Sequence, residues 1–455
     1  MELSVIILAA GKGTRMKSVL PKVMQPLAGK PLLAHVLATA QELQSSRTIV
    51  VYGHGGEVVQ KHFANQDNLA WALQAEQKGT GHAVQMALSQ LPETGKSLIL
   101  YGDVPLTTPE TLQKLLDLVV DEQSIALLTI NLANPTGYGR IVREAGLVQR
   151  IVEQKDASEQ EKQITEVNTG ILCVPNCYLH QWLPSLKNNN AQGEYYLTDV
   201  IALAVQQGLT VNTYQPQAAW EVEGINDKLQ LSTLERVYQR LQADNLMRAG
   251  ATIIDPARFD MRGTATIGMD VFFDVNVVLE GQNQFGNGVK IGANSIIKNC
   301  RIADGVEIRA NSVLEDAEIG QNAQIGPFAR IRPQSKLGAN VHIGNFVETK
   351  NTIMADGAKA NHLAYLGDSE VGERSNIGAG TITCNYDGAN KFKTIIGADA
   401  FIGSNSSLIA PVVIGDGATT GAGSAISKDV PTNHLAVARG IQRNIEGWNR
   451  PQKKK

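Results

Sequence analysis

A glycine-rich segment near the start of the chain has the residue types that hold phosphate. Residues 8–16 read LAAGKGTRM and follow an apolar run at 5–7. A turn of this kind after a strand exposes backbone N–H groups to anionic oxygens, and Arg15 and Lys22 add positive charge. Arg15 could neutralise the charge that develops on a leaving phosphate. The segment therefore indicates a site for a phosphorylated ligand.

Two familiar phosphate-binding motifs do not fit this spacing. A Walker A loop has G-x-x-x-x-G-K followed by Ser or Thr, whereas Lys12 lies between Gly11 and Gly13. The dinucleotide-binding fingerprint requires a third glycine where Met16 stands. The spacing excludes both motifs and leaves open which phosphate group the loop holds.

Two further positions could carry chemistry, one in each half of the chain. Asp103 follows an apolar run at 97–100, and a carboxylate at a strand end can bind a divalent cation. His362 stands in the second half, and a histidine can act as a general base. On residue type alone, such an aspartate more often forms a turn or caps a helix, and such a histidine is more often an ordinary surface residue.

The first half alternates strand-like and helix-like segments. Strands are predicted at 5–10, 48–52 and 97–100, and helices at 31–44 and 109–120. This alternation predicts an α/β, Rossmann-like fold, in which helices cover both faces of a mostly parallel sheet. Ligands bind at the carboxyl ends of such strands, where the glycine-rich segment and Asp103 both stand. Apolar residues at helical spacing then predict a connecting helix at 227–250.

The second half changes to a period of six residues. Aliphatic residues recur at this step, many of them followed by glycine, in the runs 267–297, 319–343 and 396–426. The period predicts a parallel β-helix of hexapeptide repeats, with aliphatic side chains inside and glycine at the turns. Segments 345–370 and 383–394 break the period, and we expect both to leave the solenoid as functional loops.

Composition argues against several classes of function. The 455 residues predict two or three domains. The 41 basic and 44 acidic residues nearly balance, so we expect no nucleic acid and no membrane surface as partner. Without a long apolar run or a leader with a cleavage site, we expect a cytoplasmic protein. Four scattered cysteines predict neither disulfides nor zinc, and 452–455 are expected to form a solvated tail.

Several short motifs of the first half are similar to those of sugar-phosphate nucleotidyltransferases, which join a sugar 1-phosphate to a nucleoside triphosphate and release pyrophosphate. LAAGKGTRM, followed by Leu20-Pro21-Lys22, resembles the signature of that family. The other matches are QAEQ at 74–77, GTG at 79–81, YGD at 101–103, GYGR at 137–140, Glu153, NTG at 168–170 and Asn226. With the hexapeptide half, nearly the whole chain resembles bacterial bifunctional enzymes with N-acetylglucosamine-1-phosphate uridyltransferase and glucosamine-1-phosphate N-acetyltransferase activities.

This resemblance implies two reactions in two domains. Residues 1–226 would be the uridyltransferase domain, 227–250 a linker helix, and 251–455 a left-handed β-helix with N-acetyltransferase activity. The β-helix would move the acetyl group of acetyl-CoA to glucosamine 1-phosphate. The first domain would couple the product, N-acetylglucosamine 1-phosphate, to UTP, and UDP-N-acetylglucosamine would supply peptidoglycan and lipopolysaccharide synthesis. The resemblance also implies a homotrimer with acetyl-transfer sites at contacts between chains.

The resemblance implies roles for individual residues as well. Asp103 and Asn226 would bind Mg²⁺. Arg15 would be catalytic in uridyl transfer, and His362 would be the proton acceptor in acetyl transfer. The nucleotide sugar would contact Leu8, Ala9, Ala10, Gly11, Lys22, Gln74, Gly79, Thr80, Tyr101, Gly102, Asp103, Gly139, Glu153, Asn168 and Asn226. Glucosamine 1-phosphate would contact Arg332, Lys350, Tyr365 and Asn376. Acetyl-CoA would contact Ala379, Asn385, Tyr386, Ser404, Ala422 and Arg439.

Two other interpretations stay open at this point, because fold alone does not determine function. The chain could be a nucleotidyltransferase with a single activity, whose β-helix serves only for assembly or regulation. It could also be a regulatory subunit that binds a sugar nucleotide without turnover. The presence of Arg15 and Asp103 weighs against the regulatory subunit, and His362 with the pair Asn385 and Tyr386 weighs against a β-helix without catalysis.

Overall fold

The computed structural model divides into two compact units, Met1–Tyr238 and Gln239–Lys455. It describes residues 1–53, 55–66, 68–451 and 453. Of the expected tail, residues 452, 454 and 455 lie outside the described residues. The boundary between the units falls inside the helix Lys228–Arg248, which the sequence predicts at 227–250.

Strands and helices alternate along the first unit, as the sequence predicts. Its strands are β1 (Leu3–Ala9), β2 (Pro26–Leu27), β3 (Lys30–Pro31), β4 (Arg47–Gly53), β5 (Leu69–Gln74), β6 (Lys96–Tyr101), β7 (Ser124–Asn131), β8 (Arg140–Glu144), β9 (Leu147–Val152), β10 (Glu166–Pro175) and β11 (Thr210–Tyr214). Its helices are α1 (Leu32–Glu42), α2 (Glu57–His62), α3 (Thr80–Ala87), α4 (Pro109–Asp117), α5 (Asn176–Trp182), α6 (Asp199–Gln206) and the first part of α7 (Lys228–Arg248).

The sheet of this unit is mostly parallel and covered on both faces. Among the described residues its strand order is β11-β7-β10-β6-β1-β4-β5, with β8 beside β10 and β9 beside β8. Strand β1 runs parallel to both of its neighbours, whereas β10 is antiparallel to β6. Ile6 and Leu8 pack in one apolar cluster, and Val5 and Ile7 pack in a second. The alternation shows that helices cover both faces of β1, which confirms the predicted α/β fold.

A left-handed parallel β-helix forms the second unit, as predicted. Most paired strands lie 17 or 18 residues apart in sequence, as in the pairs of Glu307 with Gln324 and of Gln324 with His342. Three steps of six residues therefore make one coil. Inward side chains of successive coils form one continuous apolar core, to which Ala243 and Leu246 of α7 also belong.

The strands of the β-helix are short, and most contribute a single inward residue. They are β12 (Thr252–Ile253), β13 (Asp260–Ile267), β14 (Phe272–Phe273), β15 (Val278–Phe285), β16 (Lys290–Ile291), β17 (Ile296–Lys298), β18 (Arg301–Ile302), β19 (Glu307–Ile308), β20 (Val313–Glu315), β21 (Glu318–Ile319), β22 (Gln324–Ile325), β23 (Arg330–Ile331), β24 (Lys336–Leu337), β25 (His342–Asn345), β26 (Glu348–Met354), β27 (Lys359–His362), β28 (Tyr365–Val371), β29 (Asn376–Ile377), β30 (Ile382–Cys384), β31 (Thr394–Ile396), β32 (Phe401–Ile402), β33 (Ser407–Ile409), β34 (Val412–Ile414), β35 (Thr419–Thr420), β36 (Ala425–Ile426) and β37 (Leu435–Ala436).

The expectation that segment 345–370 leaves the solenoid was wrong. It forms β26, β27 and β28, which pair with the coils on either side. The aliphatic period breaks because inward positions hold Thr349, Thr352 and Ala360, all fully buried. The hydroxyl of Thr352 donates to the carbonyl of Leu366 at 2.8 Å, so the polar group is satisfied inside the core.

Segment 383–394 does leave the coil, as predicted. Between β30 and β31 the chain forms an excursion closed by an antiparallel bridge between Tyr386 and Lys391. Asn385 anchors its base, because its side-chain amide donates to the carboxylate of Asp368 on the preceding coil. Asp387 accepts from the backbone N–H groups of Ala389 and Asn390, which holds the tip of the excursion.

No helix in the described part of the chain is long and apolar enough to cross a membrane. The cysteines, all of them among the described residues, are free thiols. Cys173 and Cys300 are buried, and burial raises the pKa of the Cys300 thiol to about 11 and that of Cys173 to about 12. Both buried thiols therefore stay protonated at neutral pH.

Candidate active sites

The glycine-rich loop of the first unit packs closely against Lys22. Gly13 has a φ of 59°, and a Cβ there would lie 2.7 Å from the Cβ of Lys22, so the loop requires glycine at this position. The loop includes the short 3-10 helix Thr14–Met16. Met16 is buried in an apolar cluster, whereas Arg15 is exposed to solvent. The structure thus anchors the loop through Met16 and leaves the Arg15 guanidinium at the surface.

Three polar side chains from distant parts of the first unit meet at Lys22. Its ammonium donates to the carboxylate of Asp103 and, at 3.2 Å, to Oδ1 of Asn226. The side chains of Lys22 and Asp103 are only 14% and 15% exposed. The N–H of Ile225 donates to the carbonyl of Asp103 at 2.8 Å, which sets Asn226 beside the end of β6. Two side-chain oxygens therefore converge on one cationic group.

The same pair of oxygens suits a divalent cation. Carboxylate and amide oxygens are hard ligands, and Mg²⁺ is usually held by one or two carboxylates together with phosphate oxygens of the substrate. Within the described residues, no group of three or more His, Cys, Asp or Glu side chains comes together as a metal site. A cation at Asp103 and Asn226 would therefore take further oxygens from a bound phosphate.

A cleft of about 260 Å³ opens at the carboxyl ends of β1, β5 and β6. Residues predicted to bind the nucleotide line it: Leu8, Ala9, Ala10, Gly11, Lys22, Gln74, Gly79, Thr80, Tyr101 and Asp103. Residues that the sequence did not assign to the site also line it: Val23, Gln77, Ala83 and Glu194. Gln77 donates to the carbonyl of Ala10 and belongs to the QAEQ motif, so its motif was a usable signal for this residue.

A tight turn leads from β5 into α3 at the edge of this cleft. The amide of Gln74 donates to the carbonyl of Gly79 at 3.0 Å. Gly79 has a φ of 104°, and a Cβ there would lie 2.6 Å from the carbonyl oxygen of Tyr195. The hydroxyl of Thr80 accepts the N–H of Leu197 at 3.1 Å. The turn is therefore fixed from both sides and requires glycine at its sharpest point.

Gly139, Glu153 and Asn168 come together at three strands of the same unit: Gly139 directly precedes β8, Glu153 directly follows β9, and Asn168 lies on β10. The N–H of Asn168 donates to the carbonyl of Gly139 at 2.8 Å, and a Cβ on Gly139 would lie 3.3 Å from Oε1 of Glu153. The hydroxyl of Thr198 donates to Glu153 at 3.2 Å. Burial raises the pKa of Glu153, and three nearby carboxylates raise it further. These groups form a polar patch that can accept and donate hydrogen bonds to a sugar.

Tyr101 and Gly102 link this patch to the cleft. A Cβ on Gly170 would clash with the ring of Tyr101, so glycine in the NTG motif admits the aromatic ring. The N–H of Gly102 donates to the carbonyl of Leu8 at 2.9 Å, which ties the end of β6 to β1. Burial raises the pKa of Tyr101, and its phenol stays a proton donor at neutral pH.

In the β-helix, His362 is exposed at the corner where β27 ends. Its Nδ1 lies 3.1 Å from Oδ1 of Asn345, which is its register partner on the preceding coil. The carbonyl of His362 accepts the N–H of Gly380 on the next coil at 3.3 Å. The imidazole is thus exposed to solvent, and pairing with the coils on both sides fixes the backbone of His362.

Residues predicted to contact acetyl-CoA continue along the corner of His362. Backbone hydrogen bonds of 2.7 Å link the turn at Ala379 to the turn at Ser404, and that turn to the one at Ala422. The guanidinium of Arg439 donates to the carbonyl of Ala422 at 2.8 Å. Adjacent coils stack at about 4.8 Å. The four positions therefore form a column that begins one coil from His362.

A cluster of cations lies on one face of the β-helix. Arg332 is paired with Glu348 at 2.6 Å. Lys391 of the excursion contacts Lys350 and lowers its pKa through that contact and through charge repulsion. Arginine and lysine side chains grouped in this way suit a phosphate dianion. Lys391 was not predicted, although it lies within the segment 383–394 that the broken period singled out.

The structure separates the residues predicted to hold glucosamine 1-phosphate. Tyr365 begins β28, in the same sheet as β26 with Lys350. Asn376 begins β29, in the other sheet of the β-helix, where it pairs with Lys359. Tyr386, predicted to contact acetyl-CoA, is 60% exposed on the excursion. One chain therefore spreads these residues over more than one face.

Family models match both units. Residues 5–194 match the MobA-like NTP transferase domain. Residues 259–341 match the GMPPB C-terminal domain, and residues 393–428 match six bacterial transferase hexapeptide repeats. The two kinds of match agree with the α/β unit and with the β-helix.

Curated relatives join both units in one chain of the same length. Proteins called bifunctional protein GlmU are 60% identical in Acinetobacter baylyi (strain ATCC 33305 / BD413 / ADP1), and 59% identical in Acinetobacter baumannii (strain AYE) and in Stutzerimonas stutzeri (strain A1501). Each match covers 455 residues, which is 100% of this chain and 100% of the relative. The chain belongs to the family of bifunctional GlmU proteins and is an enzyme with a nucleotidyltransferase domain followed by an acetyltransferase domain of hexapeptide repeats.

Proposed function

We propose that the chain makes UDP-N-acetylglucosamine in two steps. The C-terminal domain, 251–455, acetylates glucosamine 1-phosphate with acetyl-CoA. The N-terminal domain, 1–226, then transfers uridylate from UTP to N-acetylglucosamine 1-phosphate, and 227–250 connect the two. The observation that carries the proposal is the convergence of Lys22, Asp103 and Asn226 beside the cleft of about 260 Å³, on a chain that also bears the column at His362.

In uridyl transfer, a phosphate oxygen of the sugar attacks the α-phosphorus of UTP. A new O–P bond forms, the bond to the β-phosphate breaks, and pyrophosphate leaves. Arg15 and Lys22 neutralise charge on the phosphates, which is the largest task in such a reaction. Asp103 and Asn226 hold Mg²⁺, which supplies further neutralisation when bound. Gly139, Glu153 and Asn168 hold the N-acetylglucosamine group, while the uridine lies in the cleft beside Gln74, Gly79 and Thr80.

In acetyl transfer, the amine nitrogen of glucosamine 1-phosphate attacks the thioester carbonyl carbon of acetyl-CoA. His362 takes a proton from the amine as the C–N bond forms. The C–S bond then breaks, and CoA leaves as a thiolate that gains a proton. Arg332, Lys350 and Tyr365 hold the sugar phosphate on one face of the β-helix, and acetyl-CoA follows the corner from Ala379 to Arg439.

The acetyltransferase site is completed in a homotrimer. Asn376 lies on a different face from Lys350, so another copy of the chain can bring the missing contacts. Beside His362, the corner exposes apolar side chains: Phe328, Phe346 and Leu363 are 49%, 55% and 64% exposed. Light scattering on Phe346→Glu tests this: a monomer with weak acetyl transfer and normal uridyl transfer is expected. A monomer with full acetyl transfer would refute the shared site.

UTP and acetyl-CoA are cytoplasmic metabolites, and we therefore propose that the enzyme acts in the cytoplasm. Its product is a precursor for peptidoglycan and lipopolysaccharide. The direct test incubates the chain with glucosamine 1-phosphate, acetyl-CoA, UTP and Mg²⁺, and measures free thiol and pyrophosphate separately. Both products are expected. Pyrophosphate from N-acetylglucosamine 1-phosphate without any thiol from glucosamine 1-phosphate would overturn the acetyltransferase half.

A further inference from the structure

The side chain of Asn345 meets His362 across two coils of the β-helix. Their nearest atoms, Asn345 Oδ1 and His362 Nδ1, are 3.1 Å apart, which is hydrogen-bond distance. The two residues are register partners, and the carbonyl of Asn345 also accepts the N–H of Leu363 at 3.1 Å. Backbone pairing on both sides of the imidazole therefore holds the two side chains together.

Gly344 makes this close approach possible. A Cβ at this position would clash with the carbonyl oxygen of Asn361, the residue directly before His362. Any other residue at 344 would push the two coils apart beside the pair. The sequence GN at 344–345 thus combines room for close backbone contact with an amide that reaches the histidine.

A histidine that acts as a base needs one ring nitrogen without a proton. In neutral imidazole one nitrogen carries the proton and the other is free, and the hydrogen bond at one nitrogen decides which. An acceptor beside Nδ1 keeps the proton on that nitrogen. Nε2 is then the nitrogen that can take a proton from an amine.

We infer that Asn345 is a positioning residue for acetyl transfer, whose amide oxygen accepts the Nδ1–H of His362 and so presents an unprotonated Nε2 to the amine. The inference rests on the proposed role of His362 as base. Asn345 takes no proton and forms no bond with substrate. It acts by selecting the tautomer and the orientation of the ring.

Other charged and titratable groups lie on the strands next to His362. His342 begins β25, which carries Asn345, and its pKa is lowered by burial and by the charges of Arg309, Lys359 and His362. Lys359 begins β27, which carries His362. Past this corner of the coil, Glu348 and Tyr365 begin β26 and β28. All of these stay unchanged in variants of Asn345, so differences between such variants report on the residue at 345.

The test compares kcat of acetyl transfer against pH for the full chain and two variants. Asn345→Leu keeps the branched shape but removes the acceptor, and we expect kcat to fall about ten- to a hundredfold with KM nearly unchanged. Asn345→Asp keeps an acceptor, and we expect it to restore most of the rate at alkaline pH. Its negative charge favours imidazolium, so the acid limb of the profile moves up by about one pH unit.

Alkylation of the buried Cys300 in urea checks folding of the β-helix in the same preparations, and uridyl transfer checks the first unit. Asn311→Asp adds the same charge at an earlier turn of the β-helix and should leave the profile unchanged. The inference is overturned if Asn345→Leu and Asn345→Asp lose the same fraction of kcat at every pH. It is also overturned if Asn345→Asp leaves the acid limb of the profile in place. His362→Ala separates the two levels: acetyl transfer that survives in this variant refutes the proposed base, and with it the inference.

Discussion

The two proposed sites are positioned by different means. In the nucleotidyltransferase domain, Lys22 meets residues 81 and 204 positions away in sequence, at the ends of strands and in a separate loop. In the β-helix, His362 meets a residue 17 positions away, which is one coil of the repeat. A regular repeat therefore makes contacts between side chains readable from spacing, whereas an α/β sheet brings together residues whose spacing carries no such information.

The difference also appears in burial and charge. The side chains of Lys22 and Asp103 are mostly buried, so each depends on the other for neutralisation. The cations of the β-helix lie at the surface, where Lys391 repels Lys350. A bound dianion relieves the repulsion between these surface cations. The buried carboxylate of Asp103 is already neutralised by Lys22 before substrate binds.

The largest expected effect comes from removing one carboxylate, and it should fall on only one of the two sites. Asp103→Ala removes a ligand of the proposed metal and should lower uridyl transfer by at least about a thousandfold. Acetyl transfer should stay within about twofold, since Asp103 and His362 lie in different compact units. Both activities are measured in one preparation. Equal loss of both would show that the sites are not independent.

The reciprocal variant changes the proposed acetyltransferase site and leaves the nucleotidyltransferase site intact. His362→Ala removes the proposed base and should lower acetyl transfer by about a hundredfold or more, the usual contribution of a positioned base. Pyrophosphate release from UTP and N-acetylglucosamine 1-phosphate should not change. His434→Ala removes an exposed histidine of the same unit and is the matched control. A similar loss in both variants would contradict a specific role for His362.

Most of the fold could be predicted from the sequence because both halves follow regular patterns. The helix predicted at 31–44 is Leu32–Glu42, and the period of six predicts the β-helix. The pattern failed at Thr349 and Thr352, because buried hydroxyl groups look like polar interruptions in sequence. Inside the core the hydroxyl of Thr349 pairs with that of Ser335, and the hydroxyl of Thr352 donates to the carbonyl of Leu366. Side-chain hydrogen bonds inside a core are decided by packing, which a hydrophobic pattern does not contain.

The candidate sites were predictable only as sets of residues. The resemblance assigned Asp103 and Asn226 to one metal site and Lys22 to the nucleotide, but no pattern indicated that the ammonium of Lys22 donates to both oxygens. That contact depends on the path of the glycine-rich loop. Lys391 was missed because a lysine in a polar excursion has no periodic partner that would mark it. The roles assigned to these residues stay predictions.

Lys22 and a divalent cation compete for the same oxygens, which gives the third test. Lys22→Met removes the ammonium, and we expect the nucleotide-free protein to bind Mn²⁺ about tenfold more tightly, a coupling of ordinary size. Electron paramagnetic resonance of free Mn²⁺ measures this binding without turnover. Lys12→Met removes an exposed lysine of the same loop as control. Equal gains in both variants would mean that net charge alone sets the affinity.

A buried threonine of the β-helix tests whether a hydroxyl group inside the core stabilises the fold. Thr352→Val keeps the shape but removes the hydrogen bonds to the carbonyls of Leu366 and Lys350, at 2.8 and 3.1 Å. We expect a loss of about 1 kcal/mol in the free energy of unfolding. The rate of alkylation of the buried Cys300 in urea reports unfolding of this unit. Thr266→Val changes an exposed threonine and should have no effect, so a gain in stability at 352 would contradict a structural role for the hydroxyl.

The smallest effect concerns a half-buried acid of the first unit, Glu153, and its sign depends on pH. Burial and nearby carboxylates raise the pKa of Glu153 above its ordinary value. The native state therefore keeps this proton to higher pH than the unfolded chain does, and its stability falls as pH rises through that window. Glu153→Gln cannot ionise, so we expect it to be more stable than the parent at pH 7.5 and similar at pH 4.

Urea unfolding followed by tryptophan fluorescence suits this unit, because Trp71, Trp182 and Trp220 all lie within it. Glu122→Gln, at an exposed position, controls for the loss of charge, and a difference that stays constant with pH would show that Glu153 is not the cause.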